Sequence, residues 1–305
     1  MSGVLQAAYQ NLRSFSSPPV NTAIPTISGT VSIGQVLTST TGTWTGVPTP
    51  TFAYQWQRGT TNISGATSST YTIQLGDGGN TLRCVVTATN SAGSASANSA
   101  NTTSVPLPAI GSSLQGGFYG GQISTSANGV ATHFLIVAPA ASGQNLSKKY
   151  KSTNTAVTGA DSVFNGDQNT ADMVATGNAT VYPAAHFCND LVIGGYSDWY
   201  MPAQFEQEIL YYNLKPGPQT NDTAYGINAY AVPARASNYT TGNPTTTTSA
   251  AFVDGQSEAY YRSSYYASNE TSTTQASVLE FSSGTGQAEN KNLNLYVRAI
   301  RKVAV

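Results

Sequence analysis

Short segments that alternate apolar and polar residues recur through the first third of the chain. TFAYQWQ (51–57) and TLRCVVTA (81–88) place apolar side chains at every second position, and successive side chains of a strand point to opposite faces. The apolar positions are Phe52, Tyr54 and Trp56 in one segment and Leu82, Cys84 and Val86 in the other. Glycine-rich breaks separate such segments. Short strands with regular turn signals predict a β-sandwich over residues 21–104.

The order YQWQ, TYTI and LGDGGNTLRCVVTATNSAGS resembles the immunoglobulin-like modules of phage virion proteins and bacterial surface proteins. The resemblance implies that Trp56 and Cys84 belong to the core of the sandwich. It departs from antibody domains, because Leu37 lies near the position of the first cysteine and Leu82 replaces the tyrosine of the tyrosine corner. We therefore expect Cys84 to pack as a small hydrophobic residue without a disulfide partner.

Residues 1–20 form a separate N-terminal segment in our interpretation. Its apolar residues fall at helical spacing, and a Ser-Ser-Pro-Pro run at 16–19 ends the pattern. We expect an attachment or assembly segment, with a frayed terminus as the alternative. The segment lacks the basic start, apolar stretch and cleavage site of a signal peptide.

The second half of the chain differs in pattern from the first. Residues 105–114, rich in proline and serine, predict a linker to a larger domain at 115–305. MPAQFEQEILYYNL (201–214) predicts a helix with Pro202 in its first turn, and residues 182–192 predict a weaker helix. Further strands are predicted over 277–281 and 293–303.

The composition limits the classes of partner. Charged residues make up 9% of the chain, against about 25% in typical soluble domains, and the formal net charge is −1. We therefore expect no nucleic-acid partner. No apolar run approaches the roughly 20 residues of a membrane helix, so we expect no membrane insertion. Two distant cysteines, Cys84 and Cys188, demand no oxidising compartment. A protein made in the cytoplasm and exposed on a virus particle fits these features.

Chemical motifs are sparse. His186, Cys188 and Asp190 in HFCND lack a fourth ligand at zinc spacing, and Cys188 lacks a well-placed base, so we expect neither a metal site nor a nucleophile. Glycoside hydrolysis needs two carboxylates about 5–9.5 Å apart, and Glu206 and Glu208 point in different directions on a helix. The sequence leaves open a pair among Asp198, Asp222, Asp254, Glu258, Glu270 and Glu280. We expect no enzyme and no cofactor.

Three pieces of the larger domain match one family in order. GGFYGGQIS, PAAHFCNDLVIGGYSDWYMPAQFEQEILYYNL and the closing SSYYASN…VLEFSSGTGQ…LYVRAIRKV resemble the C-terminal domain of the Legionella collagen-like adhesin. That family has a C-type-lectin-like fold and recurs in phage tail proteins. The resemblance implies an α+β domain whose first and last strands meet. The structural-motif residues that it implies are Tyr196, Asp198, Trp199, Pro202 and Arg298, with Trp199 packed and Asp198 capping the turn before the helix.

Two departures from the family pattern bear on function. Arg262 stands where the family usually has tryptophan. The calcium-binding signatures of true C-type lectins are missing, so we expect no calcium-dependent sugar binding.

The stretch EAYYRSSYYASNE (258–270) is either a core strand with a polar loop or a binding surface. As a strand it would place Tyr261 and Tyr265 on one face, opposite Arg262 and Tyr266. Tyrosine, serine, asparagine and arginine together are typical of antibody paratopes. The candidate receptor-binding residues are Tyr260, Tyr261, Arg262, Tyr265, Tyr266 and Asn269.

Together these features predict a mainly β, multi-domain phage virion protein. It would have an immunoglobulin-like β-sandwich followed by an α+β C-type-lectin-like domain. We expect a tail-fibre or receptor-binding adhesin that recognises a host surface glycan or protein through loops around 219–290, without catalysis. Other virion proteins would bind the N-terminal segment, and the chain would form a homo-oligomer, with a trimer as our guess. The alternatives are a capsid or baseplate decoration or fibre protein and a bacterial surface adhesin.

Overall fold

The computed structural model describes residues 15–215, 217–247 and 273–305, together with the backbone of 260–262. The described residues form two compact units, divided between Leu107 and Pro108. Strands predominate over helices, which confirms the predicted mainly β class.

The first unit consists of short antiparallel strands. They are β1 (Ser17–Ala23), β2 (Ile27–Ser28), β3 (Val36–Ser39), β4 (Thr43–Val47), β5 (Thr51–Arg58), β6 (Thr61–Asn62), β7 (Thr70–Thr72), β8 (Leu82–Asn90) and β9 (Gly93–Asn98). One sheet has the order β6-β5-β8-β9, another β2-β3-β7, and β1 pairs with β4. Alternate residues of β8 are buried, as the sequence pattern predicts for a strand with one face on a core.

The core of this unit is built around Trp56. Its side chain is fully buried in a cluster that contains Leu37 and Cys84, and Cys84 is its direct cross-strand partner on β8. The indole nitrogen of Trp56 donates a hydrogen bond to the carbonyl of Ser68 (2.9 Å), and its ring stacks on Tyr71 with 5.6 Å between centroids. The thiol of Cys84 is free and buried, with Leu37 in the same cluster.

A buried carboxylate ties a turn to the edge of this core. Asp77 ends a short 3₁₀ turn (Leu75–Asp77) and has no exposed surface. It accepts hydrogen bonds from the Arg58 guanidinium (3.0 Å), the Tyr71 hydroxyl (2.8 Å) and the Gln74 backbone N–H (2.7 Å). These charge-assisted bonds offset the cost of removing a carboxylate from water.

The ends of the first unit differ from the predicted boundaries. β1 begins at Ser17, inside the predicted N-terminal segment 1–20, because the Ser17 carbonyl and hydroxyl bond Asn90 and Val47. Residues 1–14 lie outside the described residues. At the other end Val105 is buried and exchanges backbone hydrogen bonds with Gly79 and Asn80. The predicted linker 105–114 therefore starts inside the first unit, since its valine fills the core.

The second unit mixes helices with two sheets. The helices are α1 (Ala140–Gly143), α2 (Gly166–Thr176), α3 (Pro183–Asn189) and α4 (Gln204–Leu214). The strands are β10 (Ser113–Leu114), β11 (Gly117–Ile123), β12 (His133–Val137), β13 (Gln144–Lys148), β14 (Ala231–Val232), β15 (Tyr260–Arg262), β16 (Gln275–Glu280), β17 (Gly286–Asn290), β18 (Leu295–Arg298) and β19 (Ile300–Ala304). No described helix is long and apolar enough to cross a membrane.

The sheets of the second unit join the start of the unit to its end. One sheet has the order β10-β11-β12-β19, with β14 also paired to β11. The first and last strands, β10 and β19, therefore share a sheet but do not meet directly, because β11 and β12 lie between them. The other sheet has the order β13-β18-β15-β16-β17. The predicted strand over 293–303 is divided at Ala299 into β18 and β19, which belong to different sheets.

Helix α4 packs on β11, and small residues make this contact close. A Cβ atom on Gly120 would lie 2.3 Å from a methyl carbon of Leu210, so a larger residue would force the Leu210 side chain to move. The helix begins at Gln204 rather than in the predicted first turn at 201, and Pro202 precedes it as a buried residue. Its start is set by Glu206, whose carboxylate accepts the Ala203 backbone N–H (2.8 Å).

Removal of the Asp77 carboxylate is expected to destabilise the first unit. Asp77→Ala leaves the donors of Arg58 and Tyr71 without their acceptor, and we expect a loss of about 3 kcal/mol in the free energy of unfolding. Denaturant unfolding of the full chain measures it. Asp190→Ala, which removes an exposed carboxylate, is the control and should change stability by less than about 0.5 kcal/mol. Equal effects of the two substitutions would contradict a structural role for Asp77.

Candidate functional site

The tyrosine-rich stretch is only partly described. Backbone positions 260–262 form β15, which lies between β16 and β18. Tyr260 pairs with Glu280 on one side, and Tyr261 pairs with Tyr296 on the other. The remaining predicted binding residues, Tyr265, Tyr266 and Asn269, lie outside the described residues. The exposure of 258–270 therefore stays a prediction.

The GGYSDW segment forms a tight turn against the start of the second unit. Gly194 adopts a positive φ of 63°, and a Cβ atom there would lie 2.5 Å from the Gly116 Cα. Trp199 follows the turn with 2% of its surface exposed, and its indole N–H donates to the Tyr196 carbonyl (3.0 Å). Trp199 thus packs in the core, and the glycine permits the close approach of the two backbones.

Arg301 on the last strand holds this turn in place. Its guanidinium bonds both carboxylate oxygens of Asp198 (2.7 and 2.8 Å), the side-chain oxygen of Gln115 (2.8 Å), and lies 3.9 Å from the centroid of the Tyr196 ring. The expected role of Asp198 as a cap of the turn before α4 is therefore wrong. The fork of Arg301 matches both oxygens of the carboxylate, and this pairing determines the orientation of Asp198.

Arg298, the predicted motif residue on β18, has a similar structural role. It is buried, and it donates to the carbonyl of Ala138 (2.7 Å) and to the side-chain oxygen of Gln144 (2.5 Å). These bonds connect β18 to the chain around α1. Arg298 and Trp199 thus have structural contacts, whereas Asp198 is half exposed and lines a cavity together with Trp199.

The side chains of His186, Cys188 and Asp190 in HFCND do not form a common site. Cys188 is fully buried in α3, and burial raises the pKa of its thiol, which keeps it protonated. His186 Nε2 lies 2.7 Å from the Gly177 carbonyl oxygen, while its Nδ1 is 4.0 Å from Asp190. In the part of the chain that is described, no group of three or more His, Cys, Asp or Glu side chains is arranged to hold a metal ion.

Glu206 is buried at the point where two helices begin. Its carboxylate accepts hydrogen bonds from the backbone N–H groups of Gly166 (3.2 Å) and Ala203 (2.8 Å) and from the Tyr200 hydroxyl (2.7 Å). Burial raises the pKa of Glu206 to about 7, although the nearby Lys302 charge and the donors favour the ionised form. These three hydrogen-bond donors thus hold the Glu206 carboxylate in the interior of the second unit.

A cavity of about 540 Å³ lies next to this cluster and is lined by polar side chains, among them His133, Asp167, Tyr200 and Lys302. Lys302 bonds the Asp167 carboxylate (2.5 Å) and the Asn165 side chain, and the Tyr200 hydroxyl bonds Glu206. Lys302, Asp167 and Asn165 thus bond one another, and His133 Nδ1 lies 3.0 Å from the Thr132 hydroxyl oxygen. The cavity therefore does not require a ligand to complete its hydrogen bonds.

Glu208 lies on α4 in different surroundings from Glu206, as helical geometry predicts for residues two apart. Its side chain is buried, and burial raises its pKa to about 7 against the opposing charge of Arg235. The Arg235 guanidinium stacks 4.6 Å above the Tyr212 ring, and its Nε donates to the Gly226 carbonyl (3.0 Å). Burial also raises the pKa of Tyr239, and the charge of Glu208 adds to this shift.

A cleft of about 290 Å³ opens beside this group, and we call it the Tyr212 cleft. It is lined by Ile209, Tyr212, Asn213, residues 231–239 and Asn243. Tyr212 and Tyr239 stack with 6.3 Å between their ring centroids. Ser237, Asn238 and Asn243 are exposed at its edge. The arrangement combines aromatic faces with amide and hydroxyl groups that can donate and accept hydrogen bonds.

Buried polar atoms beside the Tyr212 cleft lack partners. Arg235 Nη2, Glu208 Oε2 and Tyr239 Oη have no partner within hydrogen-bond distance among the described residues. The Tyr239 hydroxyl and the Arg235 guanidinium nevertheless lie close together, and the guanidinium acts to lower the pKa of Tyr239, both by its charge and as a hydrogen-bond donor. Most buried polar atoms in proteins are satisfied, so such a concentration is a feature to be explained.

Sequence reasoning missed the Tyr212 cleft as a site. The signal was present in ILYYN (209–213) and PARASNY (233–239), which share the tyrosine, asparagine and arginine content of the tyrosine-rich stretch. The second of these falls within the predicted binding loops at 219–290. Comparison of the chain with models of known protein families, with curated proteins and with solved structures finds no match.

Loss of the Arg301 guanidinium is expected to loosen the turn at 194–199. Arg301→Ala removes the paired bonds to Asp198 and the contact with Tyr196, and we expect a loss of about 2 kcal/mol in the unfolding free energy. The cost stays moderate because Asp198 is half exposed and water can solvate it. Arg301→Lys keeps the positive charge but loses the paired hydrogen bonds to Asp198. We expect its unfolding free energy to lie between those of the parent and Arg301→Ala. Thermal unfolding of the full chain checks this, with Arg83→Ala in the first unit as control. An unchanged melting curve for Arg301→Ala would contradict a stabilising role of Arg301 at this turn.

Ionisation of Glu208 is expected to lower stability as pH rises. Between about pH 5 and 7 the folded state holds a proton that the unfolded state has released, so the unfolding free energy falls across this window. Glu208→Gln removes the loss of unfolding free energy that the ionisation of Glu208 causes. We expect the variant to exceed the parent by about 1–3 kcal/mol at pH 8 and to equal it near pH 5.

Denaturant unfolding at pH 5, 6, 7 and 8 gives the comparison. Glu289→Gln, on strand β17, is the matched control and should show the pH dependence of the parent. A Glu208→Gln variant that is less stable than the parent at pH 8 would mean that the attraction to Arg235 exceeds the cost of burial.

Proposed function

We propose that this protein is a phage virion protein that attaches the particle to a host cell by binding a surface glycan or protein, without catalysis. The observation that supports the proposal is the Tyr212 cleft. It presents tyrosine rings beside arginine, asparagine and serine side chains, in a chain whose net charge is only −1.

The chemistry of the cleft is suited to recognition. Tyrosine supplies a large rigid contact area at low entropic cost, and asparagine and serine supply adaptable hydrogen bonds. Tyr212 and Tyr239 provide the aromatic surface, and Asn238 and Asn243 the exposed amides. A protein that interacts through such groups depends little on long-range charge.

Each of the two units supports a separate domain assignment. Antiparallel strands around Trp56 and Cys84 support an immunoglobulin-like assignment for the first unit. A sheet that contains the earliest strands and the last strand of the second unit supports a C-type-lectin-like assignment. We propose that the segment 1–20 attaches the chain to other virion proteins and that the chain forms a trimer. Repetition would then strengthen weak individual sites through effective concentration.

Binding of the full chain to bacterial cells tests the proposal. Fluorescent chain, free or multivalent on beads, is incubated with a panel of bacteria that includes the phage's own host. We expect the beads to label at least one strain and the free chain to label it more weakly. A variant with Tyr260, Arg262 and Tyr266 changed to alanine should lose labelling if the tyrosine-rich stretch forms part of the surface.

Arg83→Ala, a change in the first unit, serves as the control and should label cells as the parent does. Absence of labelling by multivalent parent chain on every strain would contradict adhesion. A structural role in the capsid or baseplate would then replace it.

A further inference from the structure

We propose that the Tyr212 cleft is a subsite for one uncharged sugar ring. This inference rests on the proposed adhesive function and deepens it, because it assigns the ligand class to a particular place in the second unit. The argument depends on the size of the cleft, its aromatic lining, its balanced charge and its unpartnered polar atoms.

The size of the cleft limits the ligand. Its volume of about 290 Å³ lies at the lower end of the roughly 300–1,000 Å³ of sites for drug-sized ligands. A single pyranose ring is of a suitable size, whereas an oligosaccharide would extend past the exposed edge at Asn238 and Asn243. The site is thus a place for one residue of a longer surface glycan.

The lining offers an apolar face together with polar groups. The Tyr212 ring is half-buried, and the Tyr212 hydroxyl accepts a hydrogen bond from the Asn243 amide (3.1 Å), which fixes its position. Ile209 and Ala231 are buried and form an apolar part of the cleft wall. A pyranose has a comparable division, since its C–H face is apolar and its rim carries hydroxyls.

The charges beside the cleft favour a neutral ligand. Arg235 lines the cleft, and Glu208 lies close enough to interact with it electrostatically. Above about pH 7, where Glu208 is ionised, the positive charge is therefore compensated within the protein. A carboxylated or sulfated sugar would have to compete with Glu208 for Arg235 and would bring its own charge toward that carboxylate.

The unpartnered atoms indicate what the ligand should supply. Arg235 Nη2 can donate a hydrogen bond, Glu208 Oε2 can accept one when Glu208 is ionised, and the Tyr239 hydroxyl can take either role. Sugar hydroxyls both donate and accept. Two of these side chains, Arg235 and Tyr239, are part of the cleft lining, and a sugar hydroxyl would reach their buried polar atoms by displacing the side-chain atoms that cover them. The larger cavity near Lys302 carries no comparable argument, because its main polar groups bond one another.

Ligand binding by the full chain tests the proposal. The probes are methyl glucoside, methyl galactoside, methyl mannoside and N-acetylglucosamine as neutral sugars, and glucuronate and N-acetylneuraminate as anionic ones. Saturation-transfer NMR and titration should detect at least one neutral sugar with a dissociation constant of about 1–10 mM, typical of a single weak site. The anionic sugars should bind at least about threefold more weakly than the best neutral sugar.

Variants assign the binding to the cleft. Tyr212→Ala should weaken the best neutral sugar about tenfold, and Tyr212→Phe, which keeps the ring, by no more than about threefold. Asn238→Trp fills the exposed edge without altering the core, so it provides an independent test if Tyr212→Ala folds poorly. Asn189→Ala, at the other cavity, is the matched control and should bind as the parent does.

The result that would overturn the proposal is binding of no neutral sugar, stronger binding of the anionic sugars, or full binding in both Tyr212→Ala and Asn238→Trp. Such a result together with persistent labelling of cells by the full chain would remove the sugar subsite and leave adhesion in place. Loss of cell labelling by the multivalent parent chain would remove the proposed function itself.

Discussion

The buried carboxylate of Glu206 is the interaction on which the second unit depends. A carboxylate in the interior is tolerated only where donors surround it, and here the donors are the backbone N–H groups at the starts of α2 and α4 and the Tyr200 hydroxyl. Helix N-termini also favour negative charge. Glu206 therefore fixes the beginnings of both helices relative to each other. Because α4 is placed in this way, its later residue Tyr212 meets the segment 231–243 and lines the Tyr212 cleft.

Several of the protein's few charged side chains lie in the interior. Glu206, Glu208, Lys291, Arg298 and Arg301 are all buried, in a chain with only 9% charged residues. Arg301 joins the last strand to the turn at Asp198, and Arg298 joins β18 to the region of α1. Hydroxyl and amide groups are left to supply much of the polar surface. A surface of this kind recognises its partners at short range, through hydrogen bonds and aromatic contact, which agrees with the proposed role.

The accuracy of the sequence predictions depended on whether the buried side of an element was apolar. Helix α4 was predicted because Phe205, Ile209 and Leu210 form a stripe. Helix α2 was missed, since its buried positions Gly166, Asn169, Thr170 and Met173 have helical spacing but are mostly polar. Asp198 was assigned to the nearest helix in sequence, but its partner Arg301 is about a hundred residues away. The Tyr212 cleft was missed for the same reason, because its two sides come from separate segments.

The sequence by itself determined the mainly β class, the alternating strands around Trp56 and Cys84, and the existence of α4. These features follow from local periodicity and turn residues, which each segment carries within itself. Only the tertiary structure decided that Glu206 and Glu208 are buried, that Arg301 holds Asp198, and that Tyr212, Arg235 and Tyr239 share one cleft. Such contacts depend on which distant segments the fold brings together, because the burial and partners of a charged side chain are set by neighbours that no local pattern records.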